Sequence, residues 1–187
     1  VKIRSQSLYQ RTRWLAQPMN SGAYRQWLIE RGSLTKRLQS KTKRFQVQPL
    51  SLHHGLPYLD ESALLGLVPY HQALLRDVML MDDKQPLVFA HSVLPHRSLR
   101  GAWRGLSRLG NKPLGAALFA DPRVLRAPLQ YKKISRHHVL YQQAAQQVDH
   151  LPPYLWARRS IFQLNSAYQH QTIMVTEVFL PAVLVLK

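Results

Sequence analysis

Two charged residues stand where alternation predicts an apolar layer. Period-two geometry in the run around Leu74 puts Leu74, Arg76, Val78 and Leu80 on one face, and near the carboxyl end Ile173, Val175, Glu177 and Phe179 share a face in the same way. Arg76 is the one charge on the first face, and Glu177 is the sole acid after Asp149. An isolated ion in an apolar layer is strongly disfavoured unless paired and hydrogen-bonded, so each needs an answering group. The two could pair with each other, or either strand could be exposed on that face. Alternatively they line a closed pocket, where Arg76 clamps a carboxylate through its planar fork and Glu177 addresses a hydroxyl. Arg158 and Arg159 point to opposite faces of a strand, so at most one could join Arg76 before an anionic ligand. A solvated or edge-facing Arg is the plainer reading of that pair.

Other chemistries fit less well. The chain has no cysteine, which excludes a disulfide framework, thiolate catalysis and cysteine-based zinc sites. His53-His54 and His137-His138 are adjacent pairs rather than i, i+4 helix ligands, so no metal site is expected. The run from Gly105 to Lys112 approaches a phosphate loop but has Asn111 where Lys is required, and Ser107 fails the spacing of a nucleophile elbow. Trp27, Trp103 and Trp156 read as packing residues rather than base-stacking platforms.

The elements that must position Arg76 and Glu177 follow from the same patterning. Residues 22–31 carry Tyr24, Trp27 and Leu28 at helical spacing, with Gly32 as a stop and Ser33 as the cap of a second helix through Leu34 and Leu38. Strand alternation begins near Arg44. A short helix is predicted from Asp60 or Ser62 through Leu67, then strands over 70–81 and 87–94 with a turn at 82–86. The i, i+4, i+7 spacing of Leu99, Trp103 and Leu106 predicts an amphipathic helix over 98–109, closed by Gly110, and another short helix follows Pro113. A strand over 125–134 holds Pro128, which argues for an edge or a bulge. A helical stretch over 137–148 precedes a last hairpin, 155–164 and 172–180, around a polar turn at 165–171. Hairpins dominate, so the predicted class is α+β, an antiparallel sheet with helices gathered on one side.

At 187 residues the chain is the size of one ordinary domain, spanning 1–187, and can bury roughly 70% of its unfolded surface. The longest apolar run, 178–186, is broken by Pro181 and is too short for a membrane span, and the amino end lacks the apolar block of a secretory signal. A cytoplasmic protein is expected. The net charge of +17 arises from 26 basic and 9 acidic residues, and residues 1–50 hold a single acid, Glu30. Such a surface attracts anionic metabolites, polyanions and anionic membranes alike. Peripheral contact with an anionic membrane is therefore open, while nucleic acid is disfavoured as a partner.

Five segments carry a family likeness. Gly32-Ser33-Leu34-Thr35-Lys36-Arg37, Leu75-Arg76-Asp77-Val78-Met79-Leu80, Lys112-Pro113-Leu114-Gly115 with Leu118-Phe119, Leu155-Trp156-Ala157-Arg158-Arg159-Ser160, and Thr176-Glu177-Val178-Phe179-Leu180-Pro181-Ala182 resemble bacterial chorismate lyase in order and spacing. The resemblance implies an antiparallel sheet of about six strands with flanking helices and an internal ligand site beneath helical flaps. It implies release of pyruvate from chorismate, leaving 4-hydroxybenzoate as the first step towards ubiquinone, by a monomer needing no metal or organic cofactor. It further implies that Arg76 holds the ring carboxylate, that Glu177 contacts the ring hydroxyl, and that main-chain groups of Leu34 and Leu114 complete the ligand contacts. Where the family has Met, this chain has Leu34. The rival reading is a non-enzymatic module of related fold that senses a small ligand or binds nucleic acid, with residues 22–38 as a helix-turn-helix.

Overall fold

The sheet is built outward from two strands that are buried along nearly their whole length, β2 (Ala73–Asp82) and β3 (Gln85–Pro95). Both carry apolar residues on both faces, so both faces need a cover. Their tight turn holds Asp83 at φ +51, a left-handed conformation that Asp tolerates better than most residues. The Asp82 carboxylate accepts from the amides of Lys43 and Arg44 at 3.1 and 2.9 Å, which fastens the start of β1 (Phe45–Gly55) to that turn. The computed structural model describes residues 13–68, 70–100, 103–166 and 169–186.

All pairings among the named strands are antiparallel, in the order β1-β2-β3-β7-β6-β4, with β5 also on β6. The long hairpin β6 (Tyr154–Ser166) and β7 (Gln169–Phe179) supplies Glu177 next to β3. The α+β antiparallel expectation holds, with seven strands in place of about six. The extra strand arises where the 125–134 segment divides into β4 (Val124–Arg126) and β5 (Gln130–Ser135), which share one side of β6 on either flank of Pro128. Proline offers no ladder N–H, so the break falls where the sequence places it.

Helices cover both faces rather than one. Trp27 and Leu28 of the Arg25–Leu28 helix, with Leu34 and Leu38 of the Leu34–Lys41 helix, pack against Val78, Val88 and Phe179. Leu140, Tyr141 and Ala144 of the Val139–Ala145 helix pack against Met79, Phe89 and Val178 on the reverse face. The amphipathic helix expected over 98–109 is instead two short 3₁₀ turns, His96–Arg100 and Arg104–Arg108, with residues 101 and 102 outside the described set. Ser98 explains part of this: its hydroxyl donates to the Thr172 carbonyl at 2.8 Å and accepts from the Thr172 amide at 3.1 Å, tethering the segment to β7. Trp103 and Leu106 remain buried, so the periodicity marked the buried side correctly but not the helix type.

Period two turns Asp77 away from Arg76, onto the reverse face, opposite His91 of β3. Asp77 Oδ1 lies 2.6 Å from His91 Nδ1 and its Oδ2 accepts from Ser51 Oγ at 2.8 Å, while Glu61 Oε2 sits 3.5 Å from His91 Nε2. Burial alone would disfavour a charged ring, yet the Asp77 and Glu61 carboxylates outweigh it and raise the His91 pKa to about 9. A raised folded-state pKa contributes stability that is complete below the unfolded value near 6.5 and is lost as pH rises through about 9. The expected contribution is about 3 kcal/mol. Urea unfolding at pH 6 and pH 10 should show the advantage of the native chain over His91→Gln shrinking by roughly that amount; an advantage equal at both values would rule out a charged His91.

Candidate functional site

Strand register alone assembles one wall. Val78 of β2, Ala90 of β3 and Glu177 of β7 lie side by side, and two residues along the same face come Arg76, Ser92 and Val175. Arg76 and Glu177 are thus separated by two strand spacings and two residues, about 12 Å between Cα atoms. Between them the floor is Val78, Ala90, Ser92 and Val175, small side chains that leave space above the sheet. The roof comes from two helix starts, Leu34 with Thr35 and Pro113 with Leu114 and Gly115, which meet over the pocket. The four residues singled out from the sequence, Leu34, Arg76, Leu114 and Glu177, all line this one pocket.

Leu34 and Leu114 are each the first residue of a helix, where the backbone N–H has no intrahelical acceptor. Ser33 caps its helix as expected, but its hydroxyl accepts from Lys36 N at 3.3 Å, two residues beyond Leu34. Pro113 has no side-chain acceptor at all to offer the Leu114–Ala120 helix. Both helix starts therefore have backbone donors without an intrahelical acceptor beside the pocket. Its free volume is about 40 Å³, far below the ~300 Å³ at the low end of sites that hold a drug-sized ligand. A ligand of that size needs the pocket lining to move apart.

Arg76 and Glu177 do not pair with each other. Arg76 Nη2 donates to the carbonyls of Gly110 and Lys112, each at 3.0 Å, so it also fixes the connection leading into the Leu114 helix. Burial pulls the Arg76 pKa down, against the nearby Asp77 charge that raises it. Glu177 is answered by Arg158, its cross-strand neighbour on β6, through an Nε to Oε2 contact of 2.5 Å. The reading of Arg158 and Arg159 as solvated is overturned: both are buried. Arg158 Nη1 collects the carbonyls of Trp27, Leu28 and Glu30 at 3.0, 3.2 and 2.7 Å. Arg159 turns to the reverse face, bonded to Asp60 at 2.6 Å and Gln130 at 2.9 Å, with its guanidinium 4.2 Å from the Trp14 ring centre.

The residue that sequence reasoning missed is Arg126, which lines the same pocket from β4. Its Nε donates to Ser160 Oγ at 2.7 Å, its Nη1 to the carbonyls of Arg31 and Gly32 at 3.1 and 3.3 Å, and it lies over the rings of Phe162 and Phe119 at 5.3 and 5.5 Å. Burial lowers its pKa, while the Glu177 charge works the other way. The sequence offers little signal for it: Arg126 stands between Leu125 and Ala127, two residues before Pro128. The helix pair that the rival reading takes as a helix-turn-helix is used differently: Leu34, Thr35 and Leu38 are buried against the sheet and the pocket.

A sequence profile described as "Chorismate lyase" matches residues 5–186. A curated "Probable chorismate pyruvate-lyase" of Methylobacillus flagellatus is 49% identical over 174 residues, covering 93% of this chain and 96% of the relative. Another of the same name from Nitrosomonas europaea is 46% identical over 84% of this chain and 86% of its own length. Among solved structures, a transcriptional regulator of the GntR family from Bacillus cereus aligns with TM-score 0.54 at 10% identity, covering 75% of this chain and 94% of that one. The ligand-binding domain of a GntR-family regulator from Bordetella bronchiseptica aligns at TM-score 0.51 and 14% identity, over 74% and 85%. At such identities the structural likeness is one of fold alone.

Proposed function

This chain belongs to the chorismate lyase family, and we propose that it releases pyruvate from chorismate and leaves 4-hydroxybenzoate, an early step towards ubiquinone. The reading rests chiefly on one observation, a guanidinium and a carboxylate on the same wall of an enclosed pocket, with a floor of small apolar and hydroxyl side chains between them. Arg76 takes the ring carboxylate through its remaining N–H groups, and the helix-start amides at Leu34 and Leu114 contribute further donors. Glu177, steadied by Arg158, takes the ring hydroxyl.

The chemistry asks for little covalent help. The bond from the ring to the ether oxygen breaks with its electron pair going to oxygen, and the hydrogen on the adjacent hydroxyl-bearing carbon leaves as a proton. That C–H pair becomes the ring double bond that completes the aromatic system. The proton ends on the methylene carbon of the departing enolpyruvate, which becomes pyruvate. Positioning, fixed dipoles and exclusion of water by the two helices are then the main sources of rate. We place the enzyme in the cytoplasm, acting as one domain over residues 1–187; among the described residues no helix is long and apolar enough to cross a membrane.

The test is direct. EDTA-treated protein mixed with chorismate should yield pyruvate and 4-hydroxybenzoate in equal amounts, followed by proton NMR. Unchanged chorismate, together with salt-sensitive binding to duplex DNA, would instead favour the regulator reading.

A further inference from the structure

Positive charge around the pocket exceeds negative charge. The Glu177 carboxylate is matched by Arg158. Arg76 and Arg126 both line the pocket, and among the described residues neither forms an ion pair. Two guanidinium groups without a carboxylate partner therefore line one pocket of small free volume. Chorismate is a dianion, with one carboxylate on the ring and one on the enolpyruvyl arm, whereas 4-hydroxybenzoate keeps the ring carboxylate alone. The two cations match the substrate in number and exceed the product by one.

We propose that Arg126 receives the carboxylate of the enolpyruvyl arm and stabilises the negative charge that develops on that arm as the ether bond breaks. Among the described residues its hydrogen bonds use Nε and Nη1, to Ser160 and to the Arg31 and Gly32 carbonyls, so the group is held in place while Nη2 is left for a ligand. Phe119 and Phe162 flank it and keep its surroundings apolar, which strengthens any charge–charge contact made there. It reaches the pocket from the β4 flank, whereas Arg76 reaches it from β2, across the intervening β3, β7 and β6. A ring held by Arg76 and Glu177 then directs its second arm away from Arg76. The electron pair released from the ring–oxygen bond moves onto an arm already anchored by a cation, so the interaction strengthens as the bond lengthens. Arg126 also grips the residues immediately before Ser33, which couples occupation of this subsite to the position of the Leu34 helix.

This assignment rests on the chorismate reading above, and the test separates the two. Steady-state turnover of chorismate and equilibrium binding of 4-hydroxybenzoate are measured for Arg126→Met, Arg126→Lys and Arg76→Met. Arg126→Met should lower kcat/KM for chorismate by at least 100-fold, with kcat itself reduced. Its affinity for 4-hydroxybenzoate should stay within threefold of the native value. Arg126→Lys, which restores the charge, should recover at least tenfold of the lost kcat/KM. Equal losses for chorismate and 4-hydroxybenzoate in Arg126→Met would overturn the proposal, reducing Arg126 to a brace for the Arg31–Gly32 segment, and so would native turnover. Should Arg126→Met fail to fold, Arg126→Gln carries the same comparison. If Arg76→Met binds 4-hydroxybenzoate normally, the fault lies with the underlying assignment of the ring carboxylate.

Discussion

Arg76→Met is expected to lower kcat/KM for chorismate by 10²- to 10⁴-fold while leaving a folded protein. Removing one partner of a desolvated charge pair costs about 2–5 kcal/mol, largely because the other charge is left buried and unanswered. Each 1.4 kcal/mol or so is a factor of ten in rate. Because the ring carboxylate survives in the product, the same substitution should weaken 4-hydroxybenzoate binding by a comparable factor, raising KM more than it lowers kcat. The fold should tolerate the change. The carbonyls that Arg76 holds belong to Gly110 and Lys112, both exposed, so water can replace the guanidinium. Stopped assays for pyruvate, a binding isotherm for 4-hydroxybenzoate and a melting curve check the three parts. Retention of more than a tenth of native kcat/KM in a folded variant would remove Arg76 from the site.

The positions of Arg76 and Glu177 were legible because strand periodicity is the strongest short-range signal a sequence carries, and a lone charge interrupts it visibly. Register did the rest: Val78, Ala90 and Glu177 become neighbours through hairpins whose turns are written locally, as at Asp82 and Asp83. The start of the Leu34 helix was legible for a similar reason, since Ser33 is a cap whose acceptor role needs only the next three residues. Where local signals conflicted the reading failed. Leu99, Trp103 and Leu106 have helical spacing, but Gly101 and Gly105 weaken a helix and the Ser98 tether to Thr172, 74 residues away, cannot be seen in sequence.

The partner of Glu177 was not legible at all. Arg158 and Arg159 are consecutive, and composition cannot say which of two opposite faces will be covered. The decision was taken by Trp27, Leu28 and Glu30, more than 120 residues earlier, whose carbonyls close over Arg158. Arg126 was hidden for the same cause. Its answering groups are backbone oxygens of Arg31 and Gly32 and the Ser160 hydroxyl, none of which advertises a charge. Charges matched by distant backbone are invisible to residue-type arguments, whereas charges that break a local pattern are not.

That closure makes Arg158 the residue whose loss should cost the fold most. It is fully buried, and three of its bonds end on carbonyls at and just beyond the end of the Arg25–Leu28 helix, groups a short helix cannot satisfy itself. Arg158→Met strands those carbonyls and leaves the Glu177 carboxylate without its cation, and breaking a buried pair in this way costs about 3–5 kcal/mol. A double substitution, Arg158→Met with Glu177→Gln, should recover part of the loss, because the stranded charge is gone while the stranded carbonyls remain. The cycle therefore divides the penalty between pairing and capping. Urea midpoints at constant m-value read it out. If Arg158→Met unfolds within 1 kcal/mol of the native chain, the guanidinium does not hold the Trp27 segment to the sheet. The alignment of Glu177 would then have to come from its strand alone.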